Sequence, residues 1–134
     1  MTLIVDSHLD LAYNAIEFNR DLRQPVAAIR QSEADMDGKG RGSNTVSLHA
    51  LREGNIGLCF ATVHSRVESM DGQFPGVRTQ DIAYAMAQGE LAFYRVLEQQ
   101  GLMRMIRDVD GLNAHLTEWQ ADPEKAPIGL LLSM

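Results

Sequence analysis

The residues with the clearest chemical capacity stand near the start of the chain. His8 and Asp10 are two apart in Val5-Asp6-Ser7-His8-Leu9-Asp10-Leu11, directly after the apolar run Leu3-Ile4-Val5. An imidazole beside a carboxylate supplies half of a site for zinc or another borderline metal. Side chains at i and i+2 leave a strand on one face, so Ile4, Asp6, His8 and Asp10 are expected to share a face. That places His8 and Asp10 on the same side of the strand's carboxyl end, where sites form in parallel α/β sheets. The plainer reading makes His8 a surface residue and Asp10 the cap of a following helix. Two ligands do not complete a site, because catalytic zinc takes three protein ligands plus water.

The other reactive side chains read as structural. His64 follows an apolar strand near the same rim and is taken as a rim or loop histidine. His49 and His115 lie in helical segments and are expected to face solvent. Cys59 is the single cysteine, which excludes an intrachain disulfide and a cysteine-based zinc cluster. In an apolar strand it reads as a small buried hydrophobe. Gly38-Lys39-Gly40-Arg41-Gly42 has no strand before it, so a phosphate-cradling loop is rejected. The 134 residues carry 12 basic and 18 acidic side chains, a net charge of −6. Nucleic-acid binding, which favours a basic stripe, is not expected. The initial apolar run meets Asp6 too early for a secretory signal, and no run approaches the ~18 apolar residues of a membrane span. The reading is a cytoplasmic protein with no membrane segment.

These residues need a scaffold, and apolar patterning outlines one. Leu3-Ile4-Val5 reads as a buried strand. Residues 11–35 hold one or two short helices, with Val26-Ala27-Ala28-Ile29 as the core contact. Asp37 to Asn44 reads as a flexible loop with nothing to hold it in one shape. A brief helix over Val46–Arg52 stops at Gly54, which fits a C-cap. Ile56 to Val63 is continuously apolar, as in strands covered on both faces. Glu68 to Val77 is a loop containing Gly72, Pro75 and Gly76. Thr79 is the expected N-cap of a long helix that Gly101 ends. Ile82, Met86, Phe93 and Leu97 mark its inward stripe, with Ala85, Ala92 and Val96 beside it. Leu102 to Arg107 is a short strand or a turn. Asp108 to Gln120 is a helix with Leu112, Leu116 and Trp119 inward, and Ile128 to Met134 is a third apolar strand. Strands alternating with helices predict an α/β fold with a parallel sheet and right-handed crossovers. The strands near 3–6, 56–63 and 128–133 are expected to be parallel neighbours in that order.

The opening Val5-Asp6-Ser7-His8-Leu9-Asp10-Leu11 resembles that of the amidohydrolase superfamily, whose first strand ends in His-x-Asp. Within it, the sequence is most similar to the membrane (renal) dipeptidase family, which opens with Asp-Gly-His-Asn-Asp-Leu. Asp6, His8, Asp10 and Leu11 match; Ser7 and Leu9 depart. Leu48 to Ala61 looks like the family's entry to strand two. The long helix with Tyr94 and Gly101 shares the family's look, and Ile128 to Met134 resembles the strand that ends in Glu-Gly.

The resemblance implies the first three βα units of a (β/α)8 metal-dependent hydrolase barrel, truncated, with residues 1–134 an N-terminal fragment of one barrel domain. Such a barrel takes roughly 250 residues. It implies a metallodipeptidase with two zinc ions, His8 and Asp10 holding one of them, and a dipeptide or related small amide as substrate. The bridging Glu, the two zinc-binding histidines and the substrate-orienting residues would lie beyond Met134. The chain alone is expected to be inactive, and to pair with a copy of itself or with the missing part of the barrel. The alternative is a small flavodoxin-like α/β binding module in which His8 and Asp10 are rim residues.

Overall fold

The computed structural model describes residues 2–70 and 76–133. Gly72 and Pro75 of the expected loop, and Met134 of the expected last strand, lie outside those residues. The elements are β1 (Ile4–Leu9), α1 (Leu11–Glu17), α2 (Val26–Ser32), α3 (Leu48–Glu53), β2 (Ile56–Thr62), α4 (Gln80–Gln99), β3 (Met103–Met105), α5 (Val109–Ala121) and β4 (Ile128–Ser133). The fold is α/β, with one four-stranded sheet in the order β1-β2-β4-β3 and every pairing parallel.

The three strands expected as parallel neighbours are so, in the expected order. The segment left open between strand and turn is β3. It precedes β4 in the chain yet lies outside it, pairing Met103 with Ile128 and Met105 with Leu130. Among the described residues, no helix is long and apolar enough to cross a membrane.

Local chemistry sets the helix ends. The Thr79 hydroxyl accepts from Ile82 N at 3.2 Å and starts α4 as expected. Gly101, at φ +70°, follows its C-cap. The Asp108 carboxylate accepts from Gly111 N at 2.7 Å and starts α5, and the Ser47 hydroxyl accepts from Ala50 N and starts α3. Gly54 is the C-cap of α3, but the left-handed residue is Asn55, at φ 56°.

The core gathers Leu11, Leu51, Cys59, Ala61, Tyr94, Leu97, Trp119, Ile128 and Leu130. Cys59 is fully buried, as expected, and burial pushes its thiol up to about 12. β1 departs from the expectation of a buried strand: Ile4 and Val5 are each 47% exposed. β1 is one of the two edge strands; the other, β3, buries Met103 at 1% exposed, so coverage of the sheet face and not edge position alone decides. Phe60 and Leu132 also remain 39% and 37% exposed.

Two helices bury Leu97 and Trp119 as expected, and with them polar residues that apolar patterning misses. On α4 the buried residues are Glu90, Tyr94 and Leu97, while Ile82 and Val96 are exposed. A search for apolar residues alone passes over a carboxylate and a phenol standing in the true stripe. On α5, His115 is fully buried, not solvent-facing, with Nε2 2.8 Å from Gly57 O. Gly129 makes room for His115, and Gly57 does the same for Trp119. A Cβ on Gly129 would stand 2.6 Å from His115 Nε2, and one on Gly57 would stand 2.7 Å from the Trp119 ring. His49 is exposed as expected, 3.3 Å from Glu53.

The loop over 37–44 is held, contrary to expectation. Glu33, at the end of α2, accepts from Arg20 at 2.7 and 2.8 Å, from Arg41 at 3.0 Å and from Gly42 N at 2.8 Å. Arg20 also donates to Gly40 O at 2.6 Å. Long-range ion pairing does what local sequence does not, since none of these partners is adjacent in the chain. Of the run 26–29, only Ile29 is buried.

Candidate functional site

β1 delivers His8 and Asp10 to the carboxyl end of the sheet, and the structure brings them together. His8 Nε2 lies 3.3 Å from Asp10 Oδ1, with both side chains open to solvent, 71% and 41% exposed. The route differs from a simple pleat. The ladder between β1 and β2 shifts twice, between Ile4 and Val5 and between Asp6 and Leu9. Each shift breaks the period-two alternation, so the expected single face of Ile4, Asp6, His8 and Asp10 does not run evenly along β1. Bulges of this kind re-aim side chains beside functional sites. Asp6 Oδ1 accepts from His8 N at 2.9 Å and braces the second irregularity.

Asp10 stands at the N-cap position of α1 but makes no side-chain cap bond. Its backbone carbonyl accepts from Asn14 N at 3.0 Å and from Asn14 Nδ2 at 2.8 Å. Its carboxylate instead accepts from the Thr62 hydroxyl on the neighbouring strand β2. The plain helix-cap reading of Asp10 is therefore not the one adopted. The carboxylate stays directed at His8.

Behind this pair lies a second titratable group. Glu90 of α4 is 1% exposed; its Oε2 accepts from His64 N, and its Oε1 has no hydrogen-bond partner. Burial raises its pKa above the usual carboxylate range. The charges of Glu17 and Asp10 add to the rise, and His64 opposes it. His64 stacks edge-on against Tyr13, ring centroids 5.5 Å apart. Together with Glu17, Ser65 and Met86 they line a cavity of about 270 Å³ at the same end of the sheet. His64 thus keeps its expected rim position and is not brought into hydrogen-bonding contact with His8 or Asp10 by any described bond.

Thr62 and Glu90 have no signal in the local sequence. Thr62 reads as the penultimate residue of an apolar strand, and Glu90 reads as a polar residue on a helix. Only the neighbouring element gives each its role.

The spacing of His8 and Asp10 fits a metal. Two ligands of a tetrahedral zinc, each about 2.0–2.1 Å from the ion, stand roughly 3.3–3.4 Å apart. The donor set, one imidazole nitrogen and one carboxylate oxygen, suits zinc. The two are a pair and not a full shell: among the described residues, no group of three or more His, Cys, Asp or Glu side chains is placed to hold an ion. No protein-family model, no curated protein and no solved structure matches the chain.

Proposed function

We propose that this chain is the N-terminal part of a zinc-dependent dipeptidase-like hydrolase, in which His8 and Asp10 hold one of the metal ions. The observation that carries this reading is the 3.3 Å approach of His8 Nε2 to Asp10 Oδ1 at the carboxyl end of a parallel strand. β1, β2 and β4 are parallel neighbours in chain order, as the first three strands of a (β/α)8 fold would be. β3 stands outside that succession and pairs only with the first half of β4. β1 lies at an edge of the sheet, where a further strand could pair with its backbone. A flavodoxin-like module places its first strand inside the sheet, whereas β1 is at the edge.

In this reading, bound zinc lowers the pKa of water and polarises a peptide carbonyl. This chain's own residues do simpler work. His8 offers a ring nitrogen, Asp10 offers a carboxylate oxygen, and both are accessible to solvent. The remaining ligands, and the groups that recognise the termini of a dipeptide, would come from other segments. The substrate in this reading, taken from the family resemblance, is a dipeptide or related small amide, and self-association or a complementary barrel segment would cover the open edges.

A zinc titration of the chain, followed by the His8 ring resonances, tests the metal reading. The wild type is expected to show saturable binding that His8→Ala abolishes. Equal binding by the two proteins would sink it. With zinc supplied, the chain is expected to hydrolyse no dipeptide; turnover that disappears in His8→Ala would overturn the claim that further ligands are required.

A further inference from the structure

We propose that Thr62 is the positioning residue for Asp10, an inference that rests on the metal reading above. An Asp at a helix N-cap position ordinarily turns its carboxylate onto the backbone N–H groups of the first turn, where the helix dipole also favours it. Asp10 does not. The competing partner is the Thr62 hydroxyl. The Thr62 hydroxyl donates to Asp10 Oδ1, the same oxygen that faces His8, with Leu9 O the more distant acceptor at 3.4 Å.

Thr62 is itself fixed from three sides. It is buried in β2, in parallel register with Ser133 of β4. Its carbonyl accepts from the Tyr94 hydroxyl at 2.8 Å. The Tyr94 oxygen in turn accepts from Ala12 N at 3.2 Å, two residues beyond Asp10. The bonds close a ring from Asp10 through Ala12, Tyr94 and Thr62 back to Asp10. It ties the end of β1 and the start of α1 to α4 and β2. A branched side chain on a strand has restricted χ1 freedom, so the hydroxyl is presented in a fixed direction. Thr62 thereby holds Asp10 toward His8 and away from the end of α1. Groups that orient metal ligands in this way are worth about 10- to 100-fold in affinity.

The test uses the whole chain and the variants Thr62→Val and Thr62→Ser. Zinc affinity is expected to fall about 10- to 100-fold in Thr62→Val and to return to within about threefold of wild type in Thr62→Ser. In metal-free protein, the Asp10 carboxyl carbon resonance is expected to move in Thr62→Val and return in Thr62→Ser. Unchanged affinity in Thr62→Val overturns the proposal, as does a Thr62→Ser variant as weak as the valine. If the wild type binds no zinc, the metal reading fails and the positioning role toward the metal fails with it. The carbon resonance still reports separately whether the hydroxyl holds Asp10, and no movement there overturns the proposal whatever the metal does.

Discussion

Glu33 and Glu90 are both almost completely buried carboxylates, 3% and 1% exposed, and the protein treats them in opposite ways. Glu33 is surrounded by donors: a two-point contact from Arg20, then Arg41, then Gly42 N. The Arg20 guanidinium leads in holding its carboxyl well below the ordinary value, at about 2, against the opposing cost of burial. Glu90 has one backbone donor and an orphaned oxygen, and burial dominates in pushing it up. A buried charge is tolerated where it is paired and hydrogen-bonded, and is expensive elsewhere. The compensated carboxylate pins a loop. The uncompensated one stands beside the rim that carries His8 and Asp10, whose carboxylate is among the charges acting on it. Strain of this sort concentrates where sites are built.

The contrast breaks most visibly at Arg20. Arg20→Met leaves the Glu33 charge buried with only part of its donors, and removing one partner of such a pair costs about 3–5 kcal/mol. Urea unfolding should show that loss, an appreciable part of the ~5–15 kcal/mol of a whole domain. A change under about 1 kcal/mol would mean that water replaces the pairing without cost.

Acid titration separates Glu33 from the rest. Its folded pKa is depressed, so its contribution is complete above the ordinary value of 4.5 and drains as pH falls toward about 2. The stability difference between wild type and Glu33→Gln should therefore shrink across that window. A difference that stays constant with pH would show that the carboxylate is not the source.

Glu90 should give the opposite slope. Its folded pKa is raised, so its ionisation costs nothing below 4.5 and costs stability as pH climbs above it. Glu90→Gln keeps an oxygen for His64 N and removes the charge. It is expected to gain on wild type by about 1–3 kcal/mol toward alkaline pH, the scale of an unsatisfied buried group. Thermal melts from pH 4 to pH 9 check this, and parallel curves for the two proteins would count against it.

The smallest effect is expected at Arg41, which is partly exposed and supplies one of several donors to Glu33. Arg41→Ala should cost about 0.5–1.5 kcal/mol, the usual net worth of one hydrogen bond. Amide exchange over 38–42 should rise with it. A loss as large as that of Arg20→Met would show that the hub depends on every member equally.

Much of this architecture is legible in the chain. The runs at 56–63 and 128–133 are apolar without alternation, and both become interior parallel strands, although Phe60 and Leu132 stay partly open. Thr79 and Gly101 bound α4 because capping and left-handed backbone are local properties. The pair His8 and Asp10 is legible for the same reason: two residues separated by one cannot be far apart. Local pattern fails where a neighbour decides. β1 reads as buried because it is apolar, but no neighbouring element covers Ile4 and Val5, which stay about half open. His115 reads as exposed because it is polar, but Gly129 clears the space that buries it.

The sequence by itself determined the alternation of elements, the caps, and the placement of an imidazole and a carboxylate at the end of the first strand. These depend on backbone propensity and on spacings of a few residues. Tertiary structure alone decided that Asp10 faces His8 and not its own helix, because the hydroxyl that competes for it comes from residue 62. It alone decided that Glu33 is satisfied and Glu90 is not. A buried charge is stabilised by whatever donors the fold carries to it, and those donors are set by the packing of distant segments, which no local pattern contains.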